Sequence, residues 1–332
     1  MATFPAPDYM PAPGMDLIGV KTTADNIRAN VERVIVGQRE TITLLLVAIF
    51  AGGHALLEDV PGMGKTVLAR ALAKSIGGDF HRIQCTPDLL PSDITGISFY
   101  NQKAGEFEFR PGPIFAQVVL ADEVNRATPR TQSALLEAMA EHQVTIERDT
   151  LPLPSPFLLM ATQNPIELEG TFPLPEAQLD RFLLRLRMGY PTLEEERTIL
   201  RRFRNAAPLD ELQAVTTAEA VSGYTRLIQQ IRIDPLIEQY LLTIVRNTRE
   251  QVGIELGVSP RGALALATAC QALAAIEGRA YVLPDDVKRL ARPVLAHRLI
   301  TSVETREHGR AGDLIIDEVV KHVYVPVESF AP

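Results

Sequence analysis

The residues Asp59-Val60-Pro61-Gly62-Met63-Gly64-Lys65-Thr66 carry the strongest structural signal in the chain. An apolar run at residues 54–57 precedes them, and apolar residues recur at helical spacing after them, at Val67, Leu68, Ala71 and Leu72. A glycine-rich turn between a strand and a helix allows backbone N–H groups and the helix N-terminus to surround an anionic group. The segment therefore predicts a phosphate-binding loop, or P-loop.

Each residue type in this loop has an expected role. Gly62 and Gly64 let the backbone approach the phosphates, Lys65 reaches the β and γ phosphates, and Thr66 offers a hydroxyl to Mg²⁺. The general pattern opens with glycine, whereas this chain has Asp59. A surface turn before a helix is the alternative, but the flanking strand and helix favour a nucleotide site with Mg²⁺. The nucleotide-binding residues predicted from this segment are Pro61, Gly62, Met63, Gly64, Lys65, Thr66 and Val67.

Two further polar clusters follow apolar runs. The apolar run at residues 118–121 is followed by Asp122 and Glu123, and the run at residues 157–161 is followed by Thr162, Gln163 and Asn164. In an open parallel sheet, ligands bind at the carboxyl ends of the strands, so Asp122 is expected to face the same pocket as Lys65. We expect Asp122 to bind the nucleotide and hold Mg²⁺ with Thr66, Glu123 to polarise the attacking water, and Asn164 to contact the γ-phosphate or that water. The alternative is a pair of solvated strand ends.

Short apolar strands alternate with helical patterns up to about residue 187, which predicts an α/β fold with a doubly wound parallel sheet. Within this part, a helix is predicted to start at Thr128 and Pro129. Hairpins are predicted near residues 97–109 and 143–153. Gly189-Tyr190-Pro191 is a candidate hinge, after which the pattern is almost wholly helical. The predicted domains are a flexible leader at 1–16, an α/β domain at 17–189 with an insert at about 87–113, and a smaller all-helical lid at 190–332.

Composition narrows the function classes. The 332 residues carry 33 basic and 41 acidic side chains, a formal charge of −8, which argues mildly against a nucleic-acid or anionic-membrane surface. The two cysteines lack metal-ligand spacing and fit a reducing compartment. The apolar stretch at residues 41–55 is shorter than a membrane span and is broken by Gly52 and Gly53. We therefore expect a cytoplasmic protein without membrane insertion.

Together these motifs resemble the Walker A, Walker B and sensor 1 segments of AAA+ ATPases. Leu179-Asp180-Arg181-Phe182 resembles their arginine-finger segment, Ser259-Pro260-Arg261-Gly262 their sensor 2, and Ile35-Val36-Gly37-Gln38 their adenine-side motif. Residues 169–182 and 121–127 together resemble the MoxR family, and the resemblance extends from about Ile35 to the C-terminus. It implies that Val36 and Gly37 contact the base, that Arg181 acts in a neighbouring subunit's site, and that Arg261 reports hydrolysis from the lid. A contact of Arg126 across the interface stays open, and surface salt bridges are the alternative for each arginine.

The resemblance also implies a hexameric ring with a chaperone-like action on protein complexes and a von Willebrand factor A domain partner. The two hairpins resemble inserts that face the pore or substrate in related rings, the alternative being ordinary surface hairpins. They carry little net positive charge, whereas a DNA motor needs phosphate contacts there. A protein client therefore fits better than nucleic acid. A nucleic-acid-remodelling motor and a non-hydrolysing ATP-binding scaffold stay open as alternatives.

Overall fold

The computed structural model describes residues 16–60, 62–103, 105–146, 149–164, 170–204, 208–302 and 311–326. The strands are β1 (Ala55–Glu58), β2 (Phe80–Gln84), β3 (Gly96–Asn101), β4 (Glu106–Pro111), β5 (Val118–Asp122), β6 (Gln143–Ile146), β7 (Asp149–Pro152), β8 (Leu158–Gln163), β9 (Leu184–Leu186), β10 (Ile254–Leu256) and β11 (Ile300–Thr301). The helices are α1 (Leu17–Glu32), α2 (Arg39–Phe50), α3 (Lys65–Ser75), α4 (Pro91–Thr95), α5 (Pro129–Glu141), α6 (Glu176–Leu179), α7 (Leu193–Phe203), α8 (Pro208–Glu211), α9 (Ala218–Ile228), α10 (Pro235–Asn247), α11 (Pro260–Ile276), α12 (Pro284–Leu295) and α13 (Ala311–His322).

The central sheet is parallel throughout, with the spatial order β2-β5-β8-β1-β9. The chain leaves β1, crosses to the far edge at β2, and returns through β5 and β8 before β9 adds on the other side of β1. The order of the strands therefore reverses at β1, and ligands of open α/β sheets bind beyond the strand ends at such a point. The α/β fold with a parallel sheet is confirmed.

Apolar side chains hold the helices to this sheet. The strand runs at 55–57, 118–121 and 158–162 are fully buried, as expected for strands covered on both faces. The core on one side combines strand residues with Leu135, Leu136 and Met139 of α5. Helix α5 begins where the sequence predicts, because the Thr128 hydroxyl accepts the Thr131 N–H and Pro129 fits the first turn.

The chain forms two compact units. One, here called the sheet unit, spans Asn26–Ser222, and the other, the helical unit, contains the described residues from Gly223 onward and those before Asn26. The predicted domain boundary near Gly189 stays a prediction, and residues 1–15 of the predicted leader lie outside the described part. The helical unit also contains the antiparallel pair of β10 and β11, which the all-helical prediction did not include. Within the described residues, every helix falls short of the length and hydropathy needed to cross a bilayer.

Both predicted hairpins are present within the sheet unit. Strands β3 and β4 pair antiparallel with Tyr100 opposite Phe107, and β6 pairs with β7 with Thr145 opposite Thr150. The predicted turn of the second hairpin includes Arg148, which lies outside the described residues. The first hairpin exposes several large apolar side chains, namely Ile97, Phe99, Tyr100 and Phe107.

Candidate nucleotide-binding site

The P-loop follows β1 at the point where the strand order reverses. Gly62 and Gly64 have φ angles of +86° and +82°, a backbone region that disfavours residues with a side chain. A Cβ atom placed on either glycine would meet no atom within 4 Å, so the glycines leave open space above the loop. Gly64 caps α3, which begins at Lys65, and the N–H groups of its first turn have no partners within the helix. Pro61 lies outside the described residues.

Lys65 lies among three acidic side chains. Its Nζ atom donates a hydrogen bond to the Asp59 carbonyl at 2.7 Å. Partial burial lowers the pKa of Lys65, while the charges of Asp59, Asp122 and Glu123 act in the opposite direction. The structure therefore brings Lys65 close to the strand-end acids.

Asp122 is held through both carboxylate oxygens. Oδ1 accepts a hydrogen bond from the Thr162 hydroxyl at 2.6 Å, and Oδ2 accepts two from the Arg82 guanidinium, at 2.6 Å from Nη2 and 3.1 Å from Nε. Thr66, which carries a hydroxyl, is the second residue of α3 and directly follows Lys65. A carboxylate and a hydroxyl are the hard oxygen donors that suit Mg²⁺, so these residues fit the predicted metal.

Glu123 directly follows β5 and has a φ of +57°, an uncommon conformation for a residue other than glycine. Its backbone N–H donates to the Thr162 hydroxyl at 2.8 Å. Its Oε2 atom accepts from Arg126 Nη1 at 3.1 Å and from Gln84 Nε2 at 3.2 Å. These bonds fix the direction in which the carboxylate leaves the strand.

The other predicted residues take separate places. Asn164 is buried and directly follows β8, the strand next to β1. Gly37 has a φ of +75° and, with Val36, precedes α2. Arg181 is exposed, and its Nη1 atom donates to the Leu136 carbonyl of α5 at 2.9 Å rather than to the phosphate loop. Arg261 lies in the first turn of α11 in the helical unit, where Ser259 caps the helix.

Three contributors were missed by the sequence reasoning. Thr162 joins Asp122 to the Glu123 backbone, and Arg82 and Gln84 of β2 contact the two acids. The register of β2 against β5 explains the contacts of Arg82 and Gln84, because Gln84 lies opposite Asp122 in the sheet. The alternation within residues 80–85 places Arg82 and Gln84 on the same face, but the sequence does not reveal that β2 lies beside β5.

Comparison with known proteins assigns the fold to a family. The model of the ATPase family associated with various cellular activities (AAA) matches residues 54–184, and the AAA lid domain model matches residues 246–319. Chaperone MoxR1 of Mycobacterium tuberculosis is 40% identical over 99% of this chain and 89% of its own length. The chain belongs to the MoxR family of AAA+ ATPases.

Other relatives of this MoxR-family protein extend over nearly the whole chain. YeaC, an uncharacterized protein of Bacillus subtilis, is 52% identical over 91% of this chain and 94% of its own length. The crystal structure of a Cytophaga hutchinsonii protein, named as a candidate ATPase, is 40% identical with a TM-score of 0.87, covering 94% of this chain and 97% of that one. Both the α/β part and the helical part of the MoxR-family fold are therefore represented in this chain.

Proposed function

We propose that this protein hydrolyses ATP with Mg²⁺ and uses the cycle to remodel protein complexes. The observation that carries the proposal is the grouping of Lys65 with Asp122 and Glu123 beside a glycine turn that leaves space for phosphate. Membership of an AAA+ family supports the ATPase activity, and the name of the relative MoxR1 supports a chaperone-like use.

The residues divide the work by their chemistry. Lys65, which donates to the Asp59 carbonyl, would donate to the β and γ phosphates of bound ATP, and Thr66 and Asp122 would hold Mg²⁺, which would neutralise phosphate charge. Glu123 orients and polarises the attacking water, and Asn164 hydrogen-bonds the γ-phosphate or that water.

Val36 and Gly37 contact the base. Arg181 reaches the site of a neighbouring subunit in a homo-oligomer, proposed to be a hexameric ring, and Arg261 senses the γ-phosphate from the lid.

Before hydrolysis, Glu123 and Asp122 have to exchange some of their present partners. Arg126 and Gln84 hold the Glu123 carboxylate, while Arg82 holds Asp122. The Glu123 oxygen that already accepts from Arg126 and Gln84 has less capacity to accept a hydrogen bond from an attacking water. We therefore propose that the described arrangement precedes catalysis.

A protein client is favoured over nucleic acid by the surface of the first hairpin. Its exposed side chains include Ile97, Phe99, Tyr100 and Phe107, and Tyr100 packs edge-on against Phe107 with ring centroids 5.3 Å apart. Glu106 and Glu108 lie on the same hairpin, so net positive charge is lacking. We propose that this hairpin contacts protein clients and that a von Willebrand factor A domain protein assists.

The substitution Glu123→Gln tests the hydrolysis. It keeps the side-chain shape and removes the carboxylate, so turnover is expected to fall by about 10²-fold or more while Mg-ATP binding persists. Turnover is measured by phosphate release and binding by calorimetry, with Lys65→Ala as the variant expected to lose binding. Unchanged turnover in Glu123→Gln would contradict the assignment of the water-polarising residue.

The same variant identifies the client class. A Glu123→Gln protein that stays loaded with ATP should retain protein clients during purification. ATPase stimulation by DNA and not by the retained proteins would favour a nucleic-acid motor instead. Binding of ATP without any turnover by the wild-type chain would favour the non-hydrolysing scaffold.

A further inference from the structure

Asp59 occupies the P-loop position where the general pattern has glycine. Its carbonyl accepts a hydrogen bond from the Lys65 ammonium at 2.7 Å, and its N–H donates to the Gln163 carbonyl at the end of β8 at 3.3 Å. Its side chain has a separate set of partners. Oδ2 accepts the backbone N–H groups of Met188 at 2.6 Å and Gly189 at 3.1 Å. Charge-assisted bonds of this kind are about twice as strong as neutral ones.

Residues 187–189 leave β9 and are bonded from two directions. The Met188 N–H donates to Asp59, while its carbonyl accepts from Gln38 Nε2 at 3.0 Å. Gln38 directly follows Gly37 of the predicted base-side motif. The peptide groups on either side of Met188 therefore connect the phosphate loop with the base-side segment.

The next turn of the chain packs against the same segment. The Glu195 carboxylate accepts the Thr192 N–H at 2.7 Å, closing a capping box at the start of α7. A Cβ atom on Gly37 would lie 2.1 Å from Glu195 Oε1, so the two residues are closely packed. Residues 187–195 thus contact both ends of the proposed nucleotide site.

We propose that Asp59 is a positioning residue that couples nucleotide binding in the P-loop to residues 187–189, an inference that rests on the proposed function. Phosphate that draws the Lys65 ammonium away from the Asp59 carbonyl changes the loop at the residue whose carboxylate holds Met188 and Gly189. Glycine at this position has no side chain and could not transmit the change. The departure from the general P-loop pattern therefore acquires a function.

Hydrogen exchange of the full chain, read at the Met188 and Gly189 amides with and without Mg²⁺ and ATPγS, tests the coupling. In the wild type, nucleotide should change the exchange rate of these amides by about tenfold, since the residue whose carboxylate holds them loses its backbone bond to Lys65. Asp59→Gly should lose this response while still binding ATPγS. Asp59→Asn keeps an acceptor oxygen and should restore the response.

Glu58→Gln is the matched control. Glu58 precedes Asp59 and pairs with Arg187 at 3.0 Å and Arg185 at 3.7 Å, so its substitution weakens side-chain contacts to the same segment without touching the Met188 and Gly189 amides. It should keep the nucleotide response. A response that survives in Asp59→Gly, or is lost equally in Glu58→Gln, overturns the inference.

The wild-type chain alone also decides the matter if a variant fails to fold. ATPγS binding without any change in exchange at Met188 and Gly189 overturns the coupling and leaves the proposed function standing. A wild-type chain that binds no nucleotide overturns the proposed function itself.

Discussion

At the scale of single residues, Thr162 organises the acidic end of the site. Its side chain is buried, donates to Asp122 and accepts the Glu123 N–H, so one hydroxyl fixes two acids with different expected roles. The Glu123 N–H needs this partner because its residue has a positive φ and has left the ladder of β5. Thr162 therefore sets the direction of both carboxylates.

Thr162→Val preserves the shape of the side chain and removes the hydroxyl. We expect kcat for ATP to fall by roughly tenfold and the free energy of unfolding to fall by about 1–3 kcal/mol, since a hydrogen-bonded N–H loses its partner. Steady-state phosphate release and urea denaturation measure the two effects.

Thr145→Val is the matched control for this substitution. Its hydroxyl pairs with Thr150 on the exposed face of the second hairpin, so both quantities should stay near the wild-type values. An unchanged kcat in Thr162→Val would show that the hydroxyl does not position the acids.

At the scale of elements, His54 joins β1 to α5 and β8. The imidazole Nε2 lies 3.0 Å from the Met139 carbonyl, and Nδ1 accepts the Leu159 N–H at 3.1 Å, so the neutral tautomer with its proton on Nε2 satisfies both groups. Burial, with a smaller contribution from the charge of His142, lowers the pKa of His54 to about 3. Protonation of Nδ1 would remove the acceptor of the Leu159 N–H and break this hydrogen bond.

The stability consequence follows from the direction of that pKa change. The folded-state pKa lies below the unfolded value of about 6.5, so the unfolded state binds more protons between the two. Stability from His54 is complete above pH 6.5 and is lost as pH falls towards 3, with a slope approaching about 1.4 kcal/mol per pH unit. His54→Gln, which is neutral throughout, should flatten the slope of unfolding free energy against pH.

Urea titrations between pH 7 and pH 4 measure this slope. His142 has a pKa lowered by burial and contributes in the same direction, so His142→Gln serves as the comparison. We expect the larger flattening in His54→Gln. Equal slopes in the wild type and His54→Gln would contradict the assignment.

Local signals made many elements predictable from the sequence. The cap at Thr128 and the hairpin near residues 97–109 each depend on a few neighbouring residues, and both are present. The partners of the acids depend instead on which strands are neighbours. Arg82 reaches Asp122 only because β2 pairs with β5, and β10 finds β11 across intervening helices.

At the scale of the whole molecule, we propose that the site receives one group, the Arg181 guanidinium, from a second chain. Arg181 is exposed, and its described hydrogen bond is to the Leu136 carbonyl of α5. In this arrangement the guanidinium does not bond to the phosphate loop of its own chain. A guanidinium delivered to the developing charge of a transferring phosphoryl group is worth roughly 10³–10⁵ in rate. We therefore expect specific ATPase activity to rise with protein concentration as subunits assemble.

Subunit mixing separates a neighbour's arginine from an arginine that acts in its own chain. Arg181→Ala leaves an intact phosphate loop, and Lys65→Ala leaves an intact Arg181. Each variant alone should be nearly inactive, because every site in its assembly lacks one of these two groups. Mixed assemblies contain interfaces where an intact loop meets an intact arginine, and these should recover part of the wild-type phosphate release.

The matched control mixes Lys65→Ala with Glu123→Gln, whose defects both lie on the loop side of the interface. Assembled Arg181→Ala and Lys65→Ala mixtures that stay as inactive as this control would show that Arg181 does not act between subunits.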